Sequence, residues 1–251
     1  MQKIIELIDV TAGYGQEFAL KDVNLSVYDN DFIGVIGPNG GGKTTLAKLL
    51  VGLLKPTKGR IVLSQQRSDG LQNIIGYLPQ INRFDTRFPI SVIDVVLSGL
   101  ISEKGLLFRF GRKDKAKALA LLEQMGIAYL KNKPIGELSG GQMQRVFLCR
   151  AIITSPKLLI LDEPNTFVDN QFEADLYETL KQLNRQMAIM IVSHDVGTIS
   201  YYVKTIACVN RFLHYHPSNI ISEQQLAAYG CPIQIITHGD IPHTVLKKHN
   251  H

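Results

Sequence analysis

Residues 37–44, GPNGGGKT, follow the apolar run DFIGVI (31–36) and precede a stretch in which Leu46, Leu49, Leu50 and Leu53 recur at helical spacing. DFIGVI is short and β-branched and breaks at Gly37-Pro38, which reads as a buried strand. The leucines read as an amphipathic helix that ends before Lys55-Pro56. A strand, a glycine-rich loop and a helix in that order form the phosphate-binding pattern G-x-x-x-x-G-K-[ST]. Gly37, Gly40, Gly41 and Gly42, with Asn39 among them, permit positive φ and let backbone amides converge on phosphate oxygens. The helix that follows points its positive end at the same anion. Lys43 is expected to reach the β/γ-phosphates. The Thr44 hydroxyl, with Thr45 behind it, is expected to serve Mg²⁺. A plain glycine-rich turn is the competing reading. On average residue usage the pattern arises by chance in roughly one chain in a hundred of this length, and here it also has the strand–helix setting that the chemistry needs.

Two further apolar runs lack alternation: LLIL (158–161) and AIMIVS (188–193). Between them, segment 171–186 places Phe172, Leu176, Leu180 and Leu183 on one helical face. Uniformly apolar strands separated by amphipathic helices imply a parallel sheet covered on both faces. Residues 3–30 and 60–66 look like shorter, alternating strands of an antiparallel flank. Residues 88–154 are mostly helical in pattern and include a basic loop, KGLLFRFGRK, that reads best as solvated. The last forty residues show no clear period. In LLILDEP the strand delivers Asp162 to its C-terminal end, the edge at which open α/β sheets bind ligands. Asp162 is expected to hold Mg²⁺ directly or through water. Glu163 is expected to orient or deprotonate the attacking water.

The composition sets bounds. At 251 residues, 45% hydrophobic and 20% charged, the chain is long enough for a sizeable core, and disorder is excluded. Three dispersed cysteines with no CxxC pair are not a secreted disulfide framework and fit a reducing compartment. The start, MQKIIELIDV, has acids at Glu6 and Asp9 and is not expected to be a signal peptide. Every apolar run is shorter than a membrane-spanning helix, so membrane involvement is expected through a partner. The net charge of +5 decides nothing by itself.

LSGGQ at 138–142 is a second phosphate device, built from a serine hydroxyl, flexible glycines and a helix N-terminus. Five fixed residues occur by chance in roughly a few chains in ten thousand. With GPNGGGKT, LSGGQ and LLILDEP in this order, the chain resembles the ATP-binding cassette family of ATPases over nearly all of residues 1–230. The resemblance implies an α/β fold, a P-loop (RecA-like) parallel-sheet core with an antiparallel β flank and an inserted helical subdomain at about 88–154. Residues 231–251 would then be a histidine-containing tail. It implies binding of ATP and Mg²⁺, and a homodimer in which Ser139, Gly140, Gly141 and Gln142 of one copy close over the γ-phosphate held by the other. Tyr14 matches the aromatic that stacks on adenine. Gln80 matches the glutamine that senses Mg²⁺ and water and links to the membrane subunit. Asp169 matches the aspartate that crosses the dimer interface, and His194 the histidine that contacts the γ-phosphate. Phe167 stands where relatives often carry a small residue, and Met143 where many carry a polar one.

Within that family two classes compete. A soluble cassette acting on DNA would carry a very long coiled coil between Gln80 and Leu138, where this chain has 57 residues. One acting on ribosomes usually carries two cassettes per chain. The transporter reading therefore stands ahead: a peripheral subunit on the cytoplasmic membrane face, with a permease and an extracytoplasmic metal-binding protein as partners and no nucleic acid. RFPISVIDVVLSGL (87–100), PIGELSGGQMQRVFLCRAI and CVNR (208–211) resemble the metal-import subfamily, with zinc favoured over manganese, iron or an iron chelate. Six of the seven histidines lie in 214–251, yet none forms a helical i, i+4 pair. A solvent-exposed tail and a regulatory zinc site both stay open there.

Overall fold

The computed structural model describes residues 1–15, 17–64, 74–80, 89–105, 109–164, 170–194, 196–220, 233–238 and 241–246. Strands β1 (Lys3–Tyr14), β2 (Glu17–Tyr28) and β4 (Lys58–Leu63) form an antiparallel sheet in the order β2-β1-β4. Strands β3 (Phe32–Ile36), β5 (Ile75–Leu78), β6 (Leu158–Asp162), β7 (Ala188–Val192), β8 (Thr205–Asn210) and β9 (Phe212–His216) form the main sheet, ordered β5-β6-β7-β3-β8-β9. All neighbours in it are parallel except β8 and β9.

The apolar strands are apolar on both sides because both sides are covered. In β3, Phe32 and Ile36 join one core while Ile33 and Val35 join the other. In β6 the split is Leu159 and Leu161 against Leu158 and Ile160, the period of two that a strand imposes. The first core is roofed by helices α2 (Val92–Ser98), α4 (Arg112–Gln124), α5 (Gly140–Ile152), α6 (Asn170–Leu183) and α7 (Val196–Tyr202). The second is closed by β1, β2 and the loop helix α1 (Lys43–Leu50). A short helix α3 (Ile101–Lys104) follows α2.

One expectation needs correction and two are filled out. The flank strands β1 and β2 are 12 residues each, not short. Their alternation is broken by bulges, with Asp9 and Asp22 at φ of 49° and 51°, and the Asn24 side chain closes the irregularity by bonding both the amide and the carboxylate of Asp9. The expected parallel core is present, and β9 adds one antiparallel edge strand by turning back at Arg211, which itself has φ 61°. The stretch without period also holds structure: β9, and a hairpin of β10 (Ile233–His238) and β11 (Ile241–Leu246) that packs against α7.

Candidate active site

The loop 37–44 leaves the C-terminal end of β3, whose neighbours are β7 and β8, so it sits where the strand order reverses. Gly37 has φ 152°, and a Cβ there would lie 2.0 Å from the Val209 carbonyl oxygen at the end of β8. Only glycine lets the loop seat on that strand. Gly42, at φ 105°, is the residue before α1, where a Cβ would approach the Ala19 carbonyl oxygen to 2.7 Å. No side chain caps α1 and its first turn holds no acid, so no carboxylate opposes an anion at its positive end. The loop is stitched to its surroundings by Arg211, whose amide donates to the Gly41 carbonyl (2.9 Å) and whose carbonyl accepts from the Lys21 amide (2.7 Å).

Lys43 is 6% exposed, and its ammonium donates to the carbonyls of Gly37 (2.9 Å) and Pro38 (3.0 Å). Asn39 and Gly40 are exposed at the loop tip, and Thr45 is buried beneath it. The Thr44 hydroxyl donates to Asp162 Oδ1 at 3.3 Å, and the Tyr77 hydroxyl donates to Asp162 Oδ2 at 3.4 Å. Asp162 is 1% exposed. Burial pushes its carboxyl above the usual range, the Thr44 bond draws it back, and the charge of Glu163 pushes it up again. Burial, followed by the charge of Asp162, pushes the Tyr77 phenol up as well.

Glu163 sits one residue past the strand end at φ 48°, a left-handed conformation uncommon for a non-glycine, and its amide donates to the Val192 carbonyl at 2.9 Å. That turn aims its carboxylate between two partners. Gln80 Nε2 donates to Oε2 at 2.6 Å, and His194 Nδ1 lies 3.8 Å from Oε1. Glu163 keeps 19% side-chain exposure against 63% for His194, so the carboxylate is sheltered and the imidazole open. Thr44 and Asp162 supply hard oxygen donors, and two adjacent carboxylates at a dry strand end are relieved by a divalent cation. This donor set fits Mg²⁺.

Tyr14 ends β1 and is 53% exposed, with the Lys48 ammonium 5.7 Å from its ring centroid and 3.5 Å from its hydroxyl. The signature opens α5. Ser139 caps α5 and forms a capping box with Gln142: the Ser139 hydroxyl accepts from the Gln142 amide (3.3 Å), and Gln142 Oε1 accepts from the Ser139 amide (3.1 Å). Ser139 and Gly140 are exposed, while Gly141 and Gln142 are half-buried. Met143 packs against the helical-side core, which accounts for an apolar residue at that position. Asp169 and Phe167 lie outside the described residues.

The structure thus gathers Lys43, Thr44, Gln80, Asp162, Glu163 and His194 at one sheet edge, and presents Ser139 and Gly140 exposed at the head of α5. Sequence reasoning missed Tyr77, two residues along β5 from Ile75 and three before Gln80. It also missed Gln144, buried on α5, whose Nε2 donates to the Pro164 carbonyl beside Glu163. A polar side chain two residues past the signature, between Met143 and Arg145, was the available signal. Of the tail, His214 and His216 share one face of β9, and His216 Nε2 is 2.8 Å from the Ile220 carbonyl. Among the described residues no group of three or more His, Cys, Asp or Glu is placed to hold a metal ion. Cys231, His249 and His251 lie outside the described residues.

A doubly covered sheet, a phosphate loop at its switch point and an acid pair on the neighbouring strand define a P-loop nucleotide hydrolase. The sequence profile of the ABC transporter family matches residues 20–166. The zinc uptake system ATP-binding protein ZurA of Listeria monocytogenes is 40% identical over 216 residues, covering 84% of each chain. Among solved structures, a metal-chelate type ABC transporter in an inward-facing conformation superposes with a TM-score of 0.83 at 26% identity, over 99% of this chain and 98% of that one. A dimeric bacterial ABC transporter cassette superposes with a TM-score of 0.73 at 26% identity, over 87% and 100%. The chain belongs to the ABC transporter family, as an ATP-binding and ATP-hydrolysing cassette.

Proposed function

We propose that two copies of this chain drive a membrane permease that imports a transition-metal cation, zinc first, at the cytoplasmic membrane face. The carrying observation is Glu163 held between Gln80 and His194, beside the Thr44–Asp162 pair. In this reading Lys43 and the loop amides bind the β/γ-phosphates, and Tyr14 stacks on adenine. Thr44, Asp162 and Gln80 hold Mg²⁺, which supplies charge neutralisation on the phosphate oxygens. Glu163 accepts the proton of the attacking water, Gln80 orients that carboxylate, and His194 faces the γ-phosphate. Ser139–Gln142, with Asp169, complete the site of the other copy. Residues 1–230 form the cassette, with 88–154 as its helical subdomain and 231–251 as a tail.

Zinc is supported by the zinc-uptake name of the 40% identical relative. Manganese is the second reading, supported by the manganese-transport name of a 38% identical relative, and the metal-chelate type transporter matched over 99% of the chain keeps a metal chelate as a third. The permease is supported by the name of the 40% identical relative, the ATP-binding protein of an uptake system, and by the dimeric transporter cassette that superposes on this chain. The test is Glu163→Gln, which keeps ATP binding, lowers turnover at least ~100-fold, the scale of a lost general base, and accumulates an ATP-bound dimer. Near wild-type turnover of that variant in the assembled transporter removes the role assigned to Glu163.

A further inference from the structure

Tyr129 is 74% exposed, yet it does not sit on a loose loop. It lies in a 3-10 turn, Ala128–Leu130, between Ile127 (2% exposed) and Leu130 (7%), both embedded in the helical-side core. The turn is fixed on two sides. The Ile93 amide of α2 donates to the Lys131 carbonyl (3.0 Å), and Arg145 of α5 donates to the Met125 carbonyl (3.1 Å) at the end of α4. A rigid platform therefore presents a phenol beside the start of α5.

That phenol accepts a hydrogen bond from Gln142 Nε2 at 3.4 Å. The other end of the same amide, Gln142 Oε1, accepts from the Ser139 backbone amide. A carboxamide can lie in either of two orientations related by a flip, and the flipped one would set its NH₂ against the Ser139 N–H. The Ser139 N–H selects one orientation, and the Tyr129 hydroxyl holds the NH₂ end that this choice turns toward it. With the box closed, the Ser139 hydroxyl accepts from the Gln142 backbone amide and keeps its own proton to donate outward. We infer that Tyr129 is a positioning residue of the signature surface: its hydroxyl holds the Gln142 amide, and through it the Ser139 hydroxyl, ready for the triphosphate carried by a second copy of this chain. The inference rests on the two-copy reading proposed above.

The experiment uses the full chain in the Glu163→Gln background and follows ATP-driven dimerisation by light scattering and ATP binding to the monomer by fluorescence. Tyr129→Phe deletes only the hydroxyl. It is expected to raise the ATP concentration at half-dimerisation about fivefold, the scale of one hydrogen bond, while monomer ATP affinity and melting temperature stay unchanged. In a Gln142→Ala background the same substitution is expected to add nothing, because the group it positions is gone. An unchanged dimerisation midpoint for Tyr129→Phe overturns the inference, as does an equal shift with and without Gln142. If Glu163→Gln does not dimerise with ATP under any condition, the two-copy reading itself fails and takes this inference with it.

Discussion

Asp162 shows how a single residue bears the cost of the site. Its carboxyl is raised by burial, so folding favours the protonated form, and the stabilising contribution present below the unfolded carboxylate pKa is lost as pH rises through the higher folded value. At neutral pH the ionised Asp162 therefore weighs against the nucleotide-free fold. Asp162→Asn keeps an acceptor for Thr44 and a partner for Tyr77. It should raise the melting temperature at pH 7, by a margin that shrinks as pH falls into the carboxylate range, while Mg²⁺-dependent ATP binding weakens. A wild-type melting temperature above the variant's at pH 7 would contradict this. Lys43→Ala removes the one buried cation among the described loop residues and should weaken ATP binding and abolish transport. Equilibrium binding of a fluorescent ATP analogue checks it, and full affinity in a folded variant refutes it.

At the scale of elements, helix α6 must stop where the chain turns into β7, and Asn184 enforces the stop. Its Nδ2 donates to the Asp31 carbonyl (2.8 Å) and the Met187 carbonyl (3.1 Å), tying the helix end to the turn before β3. Asn184→Ala strands those acceptors and should cost about 1–3 kcal/mol of stability, read as a lower urea midpoint with ATP affinity nearly intact. Sequence could show α6 by its leucine stripe but extended it to 186, because a side-chain bond between distant segments leaves no local pattern. The same contrast runs through the site. The loop, Asp162 and Glu163 were legible because each follows a uniformly apolar strand, and a buried strand has one place to deliver a polar side chain. Tyr77, Gln144 and Tyr129 were not, since their partners are 85, 20 and 13 residues away. The flank was harder still: Asp9 and Asp22 take positive φ within strands, and each bulge shifts the alternation from which a strand is read.

For the whole molecule the decisive matter is where one site ends. Lys43 and Glu163 lie at the sheet edge, while Ser139 and Gly140 stand exposed at the head of α5. If each working site takes Lys43 from one copy and the signature from the other, two differently disabled chains can rescue each other. Lys43→Ala disables the cradle. Gly140→Asp disables the signature without harming the helix, because Gly140 begins α5 with ordinary φ and an acid there suits the helix dipole while repelling a triphosphate. In a mixed dimer both lesions fall in the same site, leaving the second site with an intact Lys43 and an intact signature. Mixing equal amounts of the two inactive chains should therefore restore ATPase activity to at most about a quarter of wild type, since half the dimers are mixed and each holds one intact site of two. A site contained within one chain predicts no recovery at any mixing ratio, because every copy in the mixture would carry its own lesion.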